Sequence, residues 1–184
     1  MKQAKKIIVA VLLLSIFASA RKRDPLTEAE TDQLREVAME PGKRLNLYIK
    51  FAEARLLAIE QLRSDPKFGD GRGQRIHDLL EDFTAILDEI NDNLDQYEGR
   101  PLNKADKKEF RRGLKAVVEA TDKFDLKLRT LKSASDTDAQ AKTESRDYKF
   151  VLSDAQEALK SSGDMAREYL ANPDKDADEA PKKK

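Results

Sequence analysis

The sequence predicts an all-α protein, an antiparallel four-helix bundle with a short extra helix on its N-terminal side. Three observations predict it. Apolar residues recur at three- and four-residue steps through four long segments. Helix formers dominate, while β-branched runs are absent after residue 20 and glycine is scarce, at 7 residues. The chain has no cysteine and 38% charged residues. A solvated helical surface over an apolar core, not a disulfide framework, must therefore hold it together.

The first element is a leader. Lys2, Lys5 and Lys6 precede an apolar run from Ile7 to Phe17, and Ala18-Ser19-Ala20 supplies a small-x-small pattern. This predicts a secretory signal peptide over residues 1–20, cleaved after Ala20, and a periplasmic or secreted protein. The apolar run is shorter than the roughly 20 residues that a spanning helix needs. Arg21-Lys22-Arg23 follows at once, so retention as an N-terminal anchor is the alternative. With no cysteine, lipid attachment is closed. Cleavage would remove three lysines and no acid, turning a formally neutral chain into one of net charge −3. That balance argues against nucleic acid as a partner.

Residues 21–172 are expected to form the bundle domain. Thr27 precedes Glu28-Ala29-Glu30, a capping-box pattern that opens a short helix reaching about Met39. Glu40-Pro41-Gly42 breaks it, since a residue before proline avoids the helical region, and Pro41 can open the next helix. That helix runs to about Arg63 on Leu45, Ile49, Ala52, Leu56, Ile59 and Leu62, with Leu47, Phe51, Ala54 and Ala58 widening the apolar face. Residues 64–73, with Pro66, Gly69, Gly71 and Gly73, read as a loop.

A third helix is expected over about 74–97 on Ile76, Leu80, Phe83, Leu87, Ile90, Leu94 and Tyr97. Gly99 and Pro101 stop it. Asn103 caps a fourth helix that carries Phe110, Leu114, Val117, Thr121, Phe124, Leu128 and Leu131 to about Lys132. Ser133 to Asp138 reads as a polar connection. A fifth segment, about 138–171, repeats the stripe in Tyr148, Val151, Leu152, Ala155, Leu159, Ser162, Ala166 and Tyr169, weakened at Gly163. Residues 173–184 are charged, apolar-poor and expected to be disordered, with Lys182-Lys183-Lys184 as a solvated end.

Charge is distributed unevenly. Between His77 and Glu98 the chain holds acids and no Lys or Arg, whereas Lys104 to Lys132 is rich in bases. A short connection predicts that these two helices are antiparallel neighbours, with opposite charges favouring the pairing. The same acids, Asp78, Glu81, Asp82, Asp88, Glu89 and Asp92, share one outer face and could hold Ca²⁺ weakly. No calcium-loop spacing is present, and a solvated face is the expected reading.

Few residues carry recognisable chemistry. His77 is the single histidine. With no cysteine and no Glu-x-x-His, zinc and di-iron sites have no ligand set. A haem held by His77 and Met39 or Met165 is conceivable. Gly69, Gly71 and Gly73 lack the strand context and spacing of a phosphate loop. Ser64, Ser133, Ser135, Ser153, Ser161 and Ser162 have no nucleophile signature around them. No catalytic, cofactor or metal site is therefore assigned, and no enzymatic activity is expected. Tyr48 and Phe150 fall off the main stripes as exposed partner anchors or widened core. Leu34, Val37 and Ala38 of the first helix must be covered by this bundle or by another chain.

The stretch DPLTEAETDQLREVAMEPGKRLNLYIKFAEARL resembles the front of uncharacterised exported helical bacterial proteins. The resemblance implies an all-helical exported protein and transfers no functional residue. The expected function is a non-enzymatic binding or interaction module of the bacterial envelope, with an unknown protein or envelope component as partner. The alternative is a periplasmic bundle that binds haem or a metal.

Overall fold

The computed structural model describes residues 24–171 except Pro66, Phe68, residues 98–101 and Asp138. The expected signal peptide, the stop at Gly99 and Pro101, and the tail with Lys182 to Lys184 lie outside the described residues. Five helices are present among the described residues, and no strand: α1 (Glu28–Glu36), α2 (Pro41–Ser64), α3 (Arg72–Tyr97), α4 (Lys104–Thr137) and α5 (Ala139–Ala171). The all-α bundle with a short N-terminal helix is what the periodicity predicts.

Helix ends follow local chemistry. Glu30 N–H donates to Thr27 Oγ1 at 3.2 Å and Thr27 N–H donates to Glu30 Oε2 at 2.8 Å, a complete capping box for α1. α1 stops at Glu36, short of the expected Met39, because Glu40 ahead of Pro41 takes a non-helical conformation (φ −116°, ψ 84°). Pro41 occupies the first turn of α2, where its missing N–H costs nothing. Asn103 Oδ1 accepts from Ala105 N–H and Asp106 N–H at 2.9 and 3.0 Å, capping α4. Ser133 and its neighbours are not a connection: α4 runs through them to Thr137, with Ser133 Oγ donating to Thr130 O at 3.1 Å. Such back-bonding lets a serine sit inside a helix, so polarity alone misplaced this boundary.

The arrangement differs from expectation in one respect. α2 packs against α3 and α4, and α5 packs against the same two, while α1 lies on α2. The acidic α3 and the basic α4 are therefore diagonal, not adjacent. Residue pairings set the directions. Arg44 meets Asn93 and Tyr48 meets Glu89, so α2 and α3 are antiparallel. Lys127 meets Glu60 and Arg72 meets Glu144, so α2 with α4, and α3 with α5, run parallel. Charge did not select neighbours because an exposed pair contributes only about 0–1 kcal/mol, against about 1.5–3 kcal/mol for each fully buried large apolar side chain.

Two features make the diagonal arrangement fit. At the centre, α3 and α4 touch through aromatic edges: Phe83 and Phe124 lie 5.8 Å apart at 73°, Tyr97 and Phe110 5.6 Å apart at 50°. At the rims, glycines let the parallel pairs close in. Gly42 of α2 and Gly113 of α4 face each other, and a Cβ on Gly42 would lie 2.5 Å from the Glu109 carbonyl oxygen. Gly73, which the sequence places in the loop, is a buried residue of α3, and a Cβ there would lie 2.8 Å from the Glu144 carbonyl oxygen.

The predicted stripe of α4 is buried throughout, from Phe110 to Leu131. In α5, Tyr148, Leu152, Ala155, Leu159, Ser162 and Ala166 are buried, and Val151 and Tyr169 partly so. α2 departs more. Tyr48 and Phe51 are buried while Ile49, Leu47 and Leu62 are only partly covered. Its inward face is rotated because α2 has α1, α3 and α4 to cover it. Leu34 of α1 is buried in the same core, so the short helix packs in cis.

Replacing Gly42 by Ala tests the close approach. At an open helical site Gly→Ala gains about 0.4–1 kcal/mol. Here the overpacking is expected to cost about 1–3 kcal/mol, read as a lower urea midpoint with an unchanged denaturant slope.

Candidate functional site

Polar groups inside the bundle form three clusters. Arg55 of α2 is buried at a position in step with Phe51 and Ile59. Its guanidinium donates to both Glu30 oxygens at 2.6 and 2.7 Å and to Pro25 O at 2.6 Å, and its Nε lies 3.9 Å from Asp82 of α3. This latch fastens the segment ahead of α1 to α2 and α3. Burial pushes the Glu30 carboxyl up. The Arg55 guanidinium and the hydrogen bonds from Arg55 and Thr27 outweigh it, holding the pKa below the usual 4.5. The sequence signal for Arg55 was a charge lying within an apolar stripe, which a buried partner must satisfy.

The second cluster joins α2 to α3. Arg44 Nε donates to Asn93 Oδ1 at 2.9 Å and its Nη2 to Tyr48 Oη at 3.1 Å, while Tyr48 O–H donates to Glu89 Oε2 at 3.1 Å. Tyr48 is 2% exposed. It is a core residue with a satisfied hydroxyl, not a surface anchor, and burial raises its pKa. The third cluster joins the start of α3 to α5. Arg72 grips Glu144 through two bonds of 2.9 and 2.6 Å, beside buried Tyr148, whose pKa burial also raises. All three are closed networks that hold helices in register. None leaves a nucleophile beside a base.

The residues singled out for cofactors are not brought together. Met39 lies between α1 and α2 and is 88% exposed. Ser162 O–H reaches towards Leu87 O, which places Met165 level with the middle of α3, roughly 20 Å along the axis from His77 at 1.5 Å per residue. His77 sits near the start of α3. Its Nδ1 is buried without a hydrogen-bond partner, 3.5 Å from Asp78 Oδ1 and 3.9 Å from Glu81 Oε2. These three residues offer donor atoms within 4.8 Å of one another, a local i, i+1, i+4 group on the surface. The remaining predicted acids divide: Asp82 and Glu89 turn towards Arg55 and Tyr48 of α2, while Asp88 and Asp92 are exposed.

The loop glycines form no phosphate cradle. Gly71 adopts φ 67°, which turns the chain into α3, and Gly73 is packed inside that helix. Ser64, Ser133 and Ser162 donate to backbone carbonyls of their own helices.

The surface carries two grooves of interest. One, of about 450 Å³, runs between the parallel α2 and α4 over Leu56, Ile59, Leu128 and Leu131, with Leu126 on its lip. Leu126 is 68% exposed, and half-exposed Leu57 adjoins Glu53 and Glu60 on the same side of α2. Lys123 and Lys127 line the α4 side, and Lys127 reaches Glu60 at 2.5 Å. The other groove, about 390 Å³, lies between α2 and α3 over Ala58, Leu62 and Leu79, with Arg75, Asp78 and Asp82 around it. Phe150 is a further exposed large side chain, at 71%, with Lys149 Nζ 4.7 Å from its ring centroid. Among the described residues no helix is long and apolar enough to cross a membrane.

The chain matches no protein-family model, no curated protein and no solved structure.

The Arg55 latch has a defined pH dependence. A carboxyl depressed on folding contributes stability that is present above its unfolded value and lost as pH falls through its folded value. Acidification below about pH 4.5 is therefore expected to free α1 before the bundle melts. Glu30→Gln should free it at neutral pH, at a local cost of about 3 kcal/mol, and abolish the acid step. Amide exchange along Glu28–Glu36 reads both effects.

Proposed function

We propose that this protein is an exported, non-enzymatic binding module of the bacterial envelope, which offers its α2/α4 face to a partner protein or envelope component. The groove beneath Leu126 carries this reading. Leu126 and Leu57 project from a bundle that otherwise turns its large aliphatic side chains inward. The groove floor is aliphatic, with Glu53, Glu60 and Arg63 on its α2 rim and Lys123 and Lys127 on its α4 rim. An amphipathic partner helix suits such a surface, with leucine-type residues in the groove and acids along the basic α4 rim. The leader pattern at residues 1–20 supports export. The three polar clusters support a scaffold role, because each is consumed in joining helices.

The alternative, a haem- or metal-binding bundle, would have to place its ligands elsewhere than in the core, since His77, Met39 and Met165 do not converge. The surface group of His77, Asp78 and Glu81 is the one observation in favour of a metal.

Two measurements separate the readings. Affinity capture from the protein's own envelope is expected to return a recurrent partner, and Leu126→Glu is expected to lose that partner while far-ultraviolet dichroism stays unchanged. Excess EDTA is expected to leave the helical spectrum and melting temperature as they were. A fall in either on chelation, with recovery on adding metal, would favour the metal-binding bundle.

A further inference from the structure

We infer that the basic outer face of α4 docks on the acidic outer face of α3 in a second copy of this chain, in a head-to-tail contact that salt dissolves. This goes beyond the proposed binding role and uses neither Leu126 nor the groove beneath it.

The two faces carry their charge at the same spacing. In the first half of α4, Lys108, Arg112 and Lys115 are exposed at positions i, i+4 and i+7, and exposed Lys104 precedes them by one turn. In α3, Asp88, Asp92 and Asp95 are exposed at the same i, i+4 and i+7 positions, with exposed Glu81 two turns ahead. Residues three and four apart on a helix are neighbours on one face. Each triplet therefore spans about 10 Å at 1.5 Å per residue. One helix laid parallel to the other brings the three opposite pairs together in a single alignment.

The fold gives the basic face no counter-charge of its own. The acids in this half of α4 turn elsewhere: Asp106 accepts from Asn103 at 2.6 Å, and Glu109 lies against Gly42 of α2. Among the described residues, Lys104, Lys108, Arg112 and Lys115 make no ion pair. The second half of α4 differs, since Lys127 meets Glu60 and Arg129 meets Asp125. On the acidic side, α3 holds no lysine or arginine after Arg75. Asp95 accepts from the neutral Tyr169 hydroxyl at 3.4 Å.

Placement decides that the pairing runs between copies. α3 and α4 sit diagonally, each flanked by α2 and α5. Their outer faces therefore look in opposite directions and cannot neutralise each other within one molecule. A second copy brings them together. The contact is heterologous, so each copy keeps one face of either sign for the next, and copies add on as an open string. With 35 bases and 35 acids, the chain gathers without net repulsion. An anionic lipid surface would account for the basic face alone, and not for the matching spacing of the acids.

The test is self-association of the intact protein against salt. At about 10 mM salt, where the Debye length is about 30 Å, the mass read by light scattering is expected to rise above that of one copy as concentration increases. At 1 M, where that length is about 3 Å, it should return to that of one copy. Lys108→Glu with Lys115→Glu should stay monomeric at low salt, and so should Asp92→Lys with Asp95→Lys, each with the helical spectrum unchanged. An equal mixture of the two reversed proteins should regain association, because each offers the sign that the other lacks. The milder Asp92→Asn with Asp95→Asn should weaken association in the same direction. Leu126→Glu should associate as the native chain does, which separates this contact from the partner groove. A native protein that stays monomeric at low salt would overturn the inference. So would association that persists in 1 M salt, a reversed protein that associates alone, or a mixture that stays monomeric. Binding to anionic lipid vesicles by a protein that shows no self-association would assign the basic face to a membrane instead.

Discussion

The close approach of parallel helices is the constraint on which this bundle depends. Gly42 and Gly113 bring α2 and α4 together at one end, and Gly73 brings α3 against α5 at the other. With both parallel pairs closed, α3 and α4 are left diagonal, and the middle of the molecule is wide enough to need aromatic rings. Phe83, Phe124, Tyr97 and Phe110 fill it edge to face or tilted. A bundle with α3 beside α4 would bury other surfaces, and the glycine contacts would have no purpose.

Charge serves a different role from the one its distribution suggests. Two acids of α3, Asp82 and Glu89, turn to Arg55 and Tyr48 of α2, while Asp95 accepts from Tyr169 of α5 at 3.4 Å. α4 reaches α2 through Lys127 and α5 through Asp122, which meets Arg167 at 3.0 Å. Such pairs set register and little more, because solvent screens the exposed ones. The buried pairs Arg55–Glu30 and Arg72–Glu144 act more strongly, since removing one partner leaves a charge without compensation in an apolar setting. They pin two of the places where irregular chain meets the bundle, ahead of α1 and at the entry to α3.

This division shapes what the surface can do. The clusters around Arg55, Arg44 and Arg72 are engaged in joining helices, and the grooves between helices are the concave part of the surface. The α2/α4 groove is aliphatic along its floor, with Glu53, Glu60 and Arg63 on one rim and Lys123 and Lys127 on the other. The α2/α3 groove is smaller and carries Asp78 and Asp82 on its α3 side.

Helix existence and type were legible because they depend on local periodicity and caps: Thr27, Pro41 and Asn103 begin helices as their chemistry requires, and every stripe residue of α4 is buried. The end of α4 was not legible, since serine and threonine suit a helix or a loop equally until back-bonding is seen. Arg55 was missed, and Tyr48 was left open between core and surface, because burial on α2 depends on which segments surround that helix. The sequence by itself determined an all-helical chain with a solvated surface and an aliphatic and aromatic interior. Only the tertiary structure decided which helices are neighbours, that Gly73 is a packing contact inside α3 and not part of the loop, and that Asp82 and Glu89 of α3 turn to α2. The physical reason is that periodicity records which face is buried, whereas the identity of the covering helix depends on how closely backbones can approach across the bundle.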